Sequence, residues 1–448
     1  MTQPSATRRQ FIAAASAGAL ATAVSQAIPV AASSPGKSSL AIRGGKPART
    51  RKSPSWPIWN QQTDEEQVLA VLRSGVWSRS KVVAEFERQY AALVGAKRCL
   101  ATTNGTMALV TALSALEIGV GDEVLVNPYT FIASVNCIFA AGALPIMVDT
   151  DPATWLVNPD LLEAKITPNT RAILPVHIYG LPVDMKKIVA IAKKHNLLVV
   201  EDACQAWLSE IGGKKCGTWG DLGCFSFQNS KHLACGEGGA LVGDDDAVVN
   251  RAYSYHNFGS ACNEPDPGQK GVVRLGVKSR LTEYQAAILL AQMKRLEGQT
   301  QRRWENAQYL SARIREIPGI VLHRLNDGAT LASYHRYPFR INPEQFGGVT
   351  RERFMAALRA EGVPCGGGYD ALNRQPFFEN VLNSRNFQRM YSKAQLDHCR
   401  QENHCPANDA LCKETILLSQ NLLLGTRQDM EETADAIEKI YENRDQLF

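Results

Sequence analysis

From residue 98 onward the chain alternates between two hydrophobic rhythms. Short unbroken apolar runs at 98–102, 123–127, 144–148, 172–177, 197–201, 224–227 and 240–242 have the length of strands buried on both faces. Between several of them apolar residues recur at helical spacing, as at 106–116 and 185–195. Strands separated by helix-length segments predict an α/β fold whose mostly parallel sheet is covered on both sides. Upstream, residues 63–72 predict a helix with Thr63 as N-cap and acids after it. Residues 282–296 predict a strong helix running toward a second domain. Past residue 301 the pattern becomes helical with a few strands and ends on a helix at 428–441. These rhythms divide the chain into an arm at 37–60, a large domain at 61–300 and a smaller α+β domain at 301–448.

Residues 1–36 are expected to be an address followed by a linker. Thr7-Arg8-Arg9-Gln10-Phe11-Ile12 places paired arginines before an alanine-rich apolar stretch at 11–32, and small residues at Ala31-Ala32-Ser33 suit cleavage. The pattern resembles a bacterial twin-arginine export signal, which predicts a periplasmic protein; a basic leader with no export role would leave it cytoplasmic. Alanine, Gly, Ser and Gln make the stretch weak as a permanent anchor, which needs about 20 strongly apolar residues. The net charge of +5 over 49 basic and 44 acidic residues is too small and too scattered to indicate nucleic acid. The 11 cysteines include no CxxC pair. His398-Cys399 and His404-Cys405 lie close enough to hold a metal or to form a disulfide. Their spacing fits no common metal site, so no metal is expected.

Four segments carry candidate chemistry, each at the C-terminal end of a predicted strand, where open α/β sheets bind ligands. Thr103-Asn104-Gly105-Thr106 joins a strand to a helix. Gly105 would let the backbone approach a phosphate, Thr106 offers a hydroxyl, and the helix start supplies free N–H groups. Asn127-Pro128-Tyr129-Thr130-Phe131 sets an aromatic ring at a strand end, where it can stack on a heterocycle. Leu197 to Glu201-Asp202 ends an apolar strand in two acids, with Gln205 just beyond. In the fourth, Ser226 precedes Lys231 by five residues, and Gly236-Glu237-Gly238-Gly239 follows. Any one of these has an ordinary structural explanation. Together they match the needs of pyridoxal 5'-phosphate (PLP): an amine for a Schiff base (Lys231), a carboxylate that keeps the ring nitrogen protonated (Asp202), a ring partner and a phosphate cradle.

These residues resemble the DegT/DnrJ/StrS-type aminotransferases, which aminate keto-sugars and keto-cyclitols. The likeness runs from about residue 44 to the C-terminus. It includes Ser74-Gly75-Val76-Trp77, Asn104-Gly105-Thr106, Pro128 to Phe131, Pro175 to Gly180, Glu201 to Gln205, Ser226-Phe227-Gln228 with Lys231, and Gly236 to Gly239. The Ser226-Phe227-Gln228 wording and Ser419 to Gly425 look most like the branch acting on inososes. The resemblance implies an aspartate-aminotransferase-type (type I) PLP fold and a homodimer with sites at the interface. It implies that Lys231 carries the cofactor and shuttles the proton, Asp202 pairs with the ring nitrogen, and Gln205 contacts the ring oxygen. Phe131 would stack on the ring, and Gly105, Thr106 and Ser226 would bind the phosphate. Glutamate or glutamine would be the amino donor and a keto-sugar or keto-cyclitol the acceptor. Two positions depart from the pattern. Gly276-Val277-Lys278-Ser279-Arg280 has Lys278 where the family commonly has an asparagine that reaches the partner's phosphate, so Lys278 is expected to contact it as a cation. Trp207 stands where a histidine near the cofactor is frequent. Two alternatives stay open: a PLP-dependent sugar dehydratase, whose relatives carry histidine in place of the lysine, and an exported PLP-fold binding protein without turnover.

Overall fold

The seven apolar runs form one sheet. In the computed structural model, which describes residues 39–262 and 270–448, its strands are β1 (Arg98–Thr102), β2 (Glu123–Val126), β3 (Leu144–Met147), β4 (Thr170–Leu174), β5 (Leu198–Asp202), β6 (Leu222–Ser226) and β7 (Gly239–Gly243). They lie in the order β1-β7-β6-β5-β4-β2-β3. Strands β2 to β6 run parallel to one another, and β7 is antiparallel to both its neighbours, β1 and β6. Every residue of β2, β3, β6 and β7 is buried, which explains why these segments read as continuous apolar runs and not as alternating ones.

Helices α1 (Gln61–Ser74), α2 (Lys81–Val94), α3 (Gly105–Ala115), α4 (Ala133–Ala140), α5 (Met185–His195), α6 (Asp246–His256) and α7 (Glu283–Ile314) accompany the sheet. Helix α5 occupies the span the periodicity predicts. Helix α1 starts earlier than expected because Asn60, not Thr63, is its cap, accepting from the Gln62 N–H. Helix α7 is twice its predicted length. Thr282 and Gln285 form a capping box at its start, and buried Ala307, Leu310 and Ile314 continue the apolar stripe with no proline to stop it.

A second, antiparallel sheet holds β8 (Ile320–Leu322), β9 (Arg336–Ile341), β10 (Cys365–Gly367) and β11 (Ile416–Ser419), in the order β8-β9-β11-β10. The segment from residue 39 to 60 contains one short 3-10 turn, Ala41–Arg43. It is tied down by the buried Glu361 carboxylate, which accepts the N–H groups of Ala41 and Ala48, and by an Arg49–Asp429 ion pair at 3.1 Å. Cys399 and Cys405 are fully buried free thiols, and Cys399 packs on the carbonyl of Pro145 in β3, so these two thiols serve the core, whereas His404 is exposed. The paired-arginine leader lies outside the described residues. Among the described residues no helix is long and apolar enough to cross a membrane.

Candidate active site

The C-terminal ends of β1, β5 and β6 open into a cavity of about 790 Å³. Lining it are Gly105, Thr106, Phe131, Asp202, Gln205, Ser226 and Lys231, all predicted from sequence as one site. The cavity thus collects residues drawn from 105 to 231 because parallel strands deliver their ends to one edge of the sheet.

Asp202 is the last residue of β5 and is 6 % exposed. Its Oδ2 accepts from Ser134 Oγ at 2.7 Å and its Oδ1 from the Cys204 N–H at 3.1 Å. Ser134 in turn shares a 2.8 Å hydrogen bond with Thr130 Oγ1. The carboxylate is therefore held in one orientation by α4 and by its own strand end. Beside it, Glu201 points the other way. It accepts from the N–H groups of Gly217, Trp219 and Gly220 and meets His177 Nε2 at 2.9 Å. The paired acids at the strand end thus have separate jobs: Glu201 anchors a loop and Asp202 faces the cavity.

Gln205 accepts from the Tyr179 N–H through Oε1 and donates from Nε2 to the Tyr369 hydroxyl at 2.9 Å. At the start of α3, Asn104 caps by accepting from Met107 N–H at 2.8 Å. The N–H groups of Gly105 and Thr106 are left with no protein acceptor among the described residues, as expected for a first helical turn. The packing gives a further reason for Gly105 beyond the one the sequence offers. A Cβ there would lie 2.7 Å from Ser226 Cβ and 2.8 Å from Cys204 Sγ, so its smallness lets α3 sit against the end of β6. Gly239 does the same on the other side, where a Cβ would lie 2.3 Å from the Asn104 carbonyl carbon.

Lys231 lies in the turn between β6 and β7, half-buried, with Nζ 5.9 Å from the centroid of the Trp207 ring. Burial pushes its ammonium below the ordinary lysine range; Cys204 and Asp202 oppose that shift and Arg336 adds to it. The Trp56 indole N–H donates to the Lys231 carbonyl at 3.1 Å and fixes the backbone. Trp207 is fully buried beside the lysine and does not itself line the cavity. Phe131 lines the cavity and remains 54 % exposed. Lys278 is not brought to this cavity: it is exposed, on the segment that bridges to Asn257.

Several lining or supporting residues escaped the sequence reading. Ser134, which orients Asp202, sits in the first turn of α4, and nothing local in the sequence ties it to the end of β5. Tyr369, His335 and Arg336 come from the chain beyond β8, which no local motif ties to Lys231.

Comparisons with known proteins give the family. Residues 60–417 match the DegT/DnrJ/EryC1/StrS aminotransferase family. The chain is 34 % identical to a protein of Streptoalloteichus tenebrarius named putative L-glutamine:3-amino-2,3-dideoxy-scyllo-inosose aminotransferase, over 92 % of this chain and 99 % of that one. It is 34 % identical to the L-glutamine:scyllo-inosose aminotransferase of Streptomyces griseus, over 91 % and 98 %. Among solved structures it is similar to 3-amino-5-hydroxybenzoic acid synthase, with a TM-score of 0.77, 30 % identity, and 88 % and 99 % of the two chains covered. It is also similar to an aminotransferase from Psychrobacter cryohalolentis, with a TM-score of 0.78, 29 % identity and the same coverage.

Proposed function

Because the chain belongs to the DegT/DnrJ/EryC1/StrS aminotransferase family, we propose that it moves the amino group of glutamine or glutamate onto a keto-cyclitol or a related keto-sugar, using PLP held on Lys231. The observation that carries this reading is the convergence of a partly desolvated lysine, a fixed carboxylate and an open helix N-terminus on one cavity. Relatives named for glutamine and inosose substrates support the donor and acceptor classes. The dehydratase and binding-only alternatives have no such support.

The residues present fit the cofactor. Two N–H groups of α3 without protein acceptors and the Ser226 hydroxyl, which only accepts a long 3.4 Å bond from Gln228, leave donors for a phosphate. PLP, when bound, supplies an electron sink at the carbon that exchanges its amine. Asp202, locked by Ser134 and the Cys204 N–H, would hold a proton on the ring nitrogen. Gln205, braced by Tyr179 and Tyr369, would orient the ring, and Phe131 would cover one face. Lys231 Nζ, its proton affinity lowered by burial, would take a proton from the donor's α-carbon and return it to the acceptor.

The same reading extends to the whole protein. The division at about residue 300 would separate a cofactor-binding part from a smaller closing part. A homodimer would bring Lys278 of one subunit to the phosphate site of the other. The leader would direct export of the folded, loaded enzyme. A donor-by-acceptor screen tests the function: glutamine with scyllo-inosose should give an amino-cyclitol. Absence of amine product across a panel of keto-cyclitols and keto-sugars would overturn it.

A further inference from the structure

Among the described residues the Lys231 amine forms no ion pair and no hydrogen bond. The charged and titratable groups that face it come from several elements. Asp202, at the end of β5, is already engaged by Ser134 and the Cys204 N–H. The Cys204 thiol follows it, His232 is the next residue in the lysine's own turn, and His335 and Arg336 arrive with β9. Arg303, from α7, acts on both imidazoles. Burial, helped by these cations, pushes both imidazoles well below the ordinary histidine range, so they stay neutral and do not repel an ammonium. The side-chain contact Lys231 does make is with the face of the Trp207 ring, whose centroid lies 5.9 Å from Nζ. The face of an indole carries negative charge and attracts a cation at this range, most strongly where water is excluded.

The surroundings of Trp207 single out that face as the feature in use. The ring is fully buried and packs on His232 at 5.1 Å and His335 at 5.9 Å, with 5.8 Å between the two imidazoles. Three mutually packed rings hold the indole in one orientation. Its N–H is buried and has no acceptor among the described residues. Phenylalanine or leucine would fill core without stranding that donor, so the N–H does not explain a tryptophan here. The lysine's backbone is fixed by the Trp56 indole on its carbonyl and by its own N–H on the Gln228 carbonyl at 2.8 Å. Only the flexible side chain is left to move between the cavity and the ring.

We propose that the Trp207 face is the resting place of the Lys231 ammonium whenever that lysine is free of the cofactor, which makes Trp207 a positioning residue for amino transfer. This rests on the transaminase reading. In the first half of the reaction a C–H bond of the donor breaks and an N–H bond forms on Lys231 Nζ. The ammonium so formed has no carboxylate of its own to pair with. Over Trp207 it stays next to the cavity, outside the space the substrate fills, until it hands the proton on. The ring thereby opposes the loss of proton affinity that burial imposes.

The test uses the full-length protein with Trp207→Phe, Trp207→Leu, or trifluorinated tryptophan at position 207, which withdraws charge from the ring face at nearly constant volume. The first readout needs no turnover: the rate of acylation of Lys231 against pH in cofactor-free protein, followed by peptide mass analysis. Trifluorotryptophan is expected to lower the midpoint by about one pH unit, an about tenfold weaker hold on the proton. Trp207→Leu should lower it at least as far and Trp207→Phe by less. In PLP-loaded protein the half-reaction with L-glutamine, read by absorbance, should have its acid-side midpoint displaced downward by the same amount. The glutamine concentration giving half-maximal rate should stay within about twofold, because Trp207 does not line the cavity. An unchanged acylation midpoint with trifluorotryptophan shows that the ring only packs and overturns the proposal, whatever the smaller residues do to stability. A lowered acylation midpoint with an unmoved acid side of the half-reaction also overturns the resting role. Loaded wild type that reacts with no amino donor overturns the transaminase reading, and the cofactor-free midpoint then still decides whether Trp207 holds the ammonium.

Discussion

At the scale of single residues, Gly105 shows what a motif carries and what it hides. Its place between a strand and a helix is legible in the sequence, and so is the anion-binding character of that turn. The need for glycine is not, because it comes from Ser226 and Cys204, more than a hundred positions and about ninety-nine positions away, which only the sheet order brings alongside. Gly105→Ala would drive a Cβ to 2.7 Å from Ser226 Cβ and 2.8 Å from Cys204 Sγ, with the Ser226 backbone 3.3 Å away leaving little room to yield. The expected outcome is a loss of about 1–3 kcal/mol in stability and a weaker hold on PLP, seen by chemical denaturation and cofactor titration. Unaltered cofactor affinity would show that α3 can shift without disturbing the site. Trp207 teaches the same lesson. The sequence places it near the reacting lysine, and only the fold shows that it does so as core packed beside Lys231.

Elements follow the same logic. The strand β5 was readable from its apolar run and its acidic end, yet nothing local separates the tasks of Glu201 and Asp202. Alternation does it: successive residues of a strand point to opposite faces, so one acid meets the cavity and the other the loop at 217–220. Glu201→Ala would strand one buried and two half-buried N–H groups as well as His177, and is expected to cost about 3–5 kcal/mol, lowering the denaturation midpoint well before it alters the chemistry. A second prediction at this scale concerns the partner sheet. His323 donates from Nδ1 to the Pro338 carbonyl, accepts at Nε2 from the Tyr334 hydroxyl, and is pushed down by burial to about 4. Its folded value lies below that of the unfolded chain, so above about pH 6.5 it adds no pH dependence. As pH falls from there toward 4 the unfolded state takes up a proton the folded state refuses, and stability drops. The loss should reach about 2 kcal/mol at pH 5 from this residue, measured by urea denaturation at pH 7 and pH 5. His323→Gln should show a smaller difference between the two pH values; an identical difference would place the acid sensitivity elsewhere.

Across the whole molecule, the class of the fold was legible because buried parallel strands announce themselves as apolar runs at helix-length intervals. The single reversed strand, β7, was not, since an antiparallel central strand buries the same residues as a parallel one. The second sheet was seen only as a change of rhythm: its strands run three to six residues and are broken by Gly and Pro. That is why Arg336, His335 and Tyr369, all delivered by this region, went unnoticed while the residues from 105 to 231 did not. Two proposals belong to this scale. Cross-linking or ultracentrifugation should find a homodimer, and Lys278→Ala should weaken PLP binding while Lys278→Arg largely retains it. Equal affinity in all three proteins would remove Lys278 from the phosphate site. Everything proposed for the chemistry, however, depends on the cofactor residing on one lysine. Borohydride reduction of the PLP-loaded protein followed by peptide mass analysis tests this most directly. The cofactor's mass is predicted on the peptide carrying Lys231, with none in Lys231→Ala. Label on another lysine, or label that survives the substitution, would contradict the account.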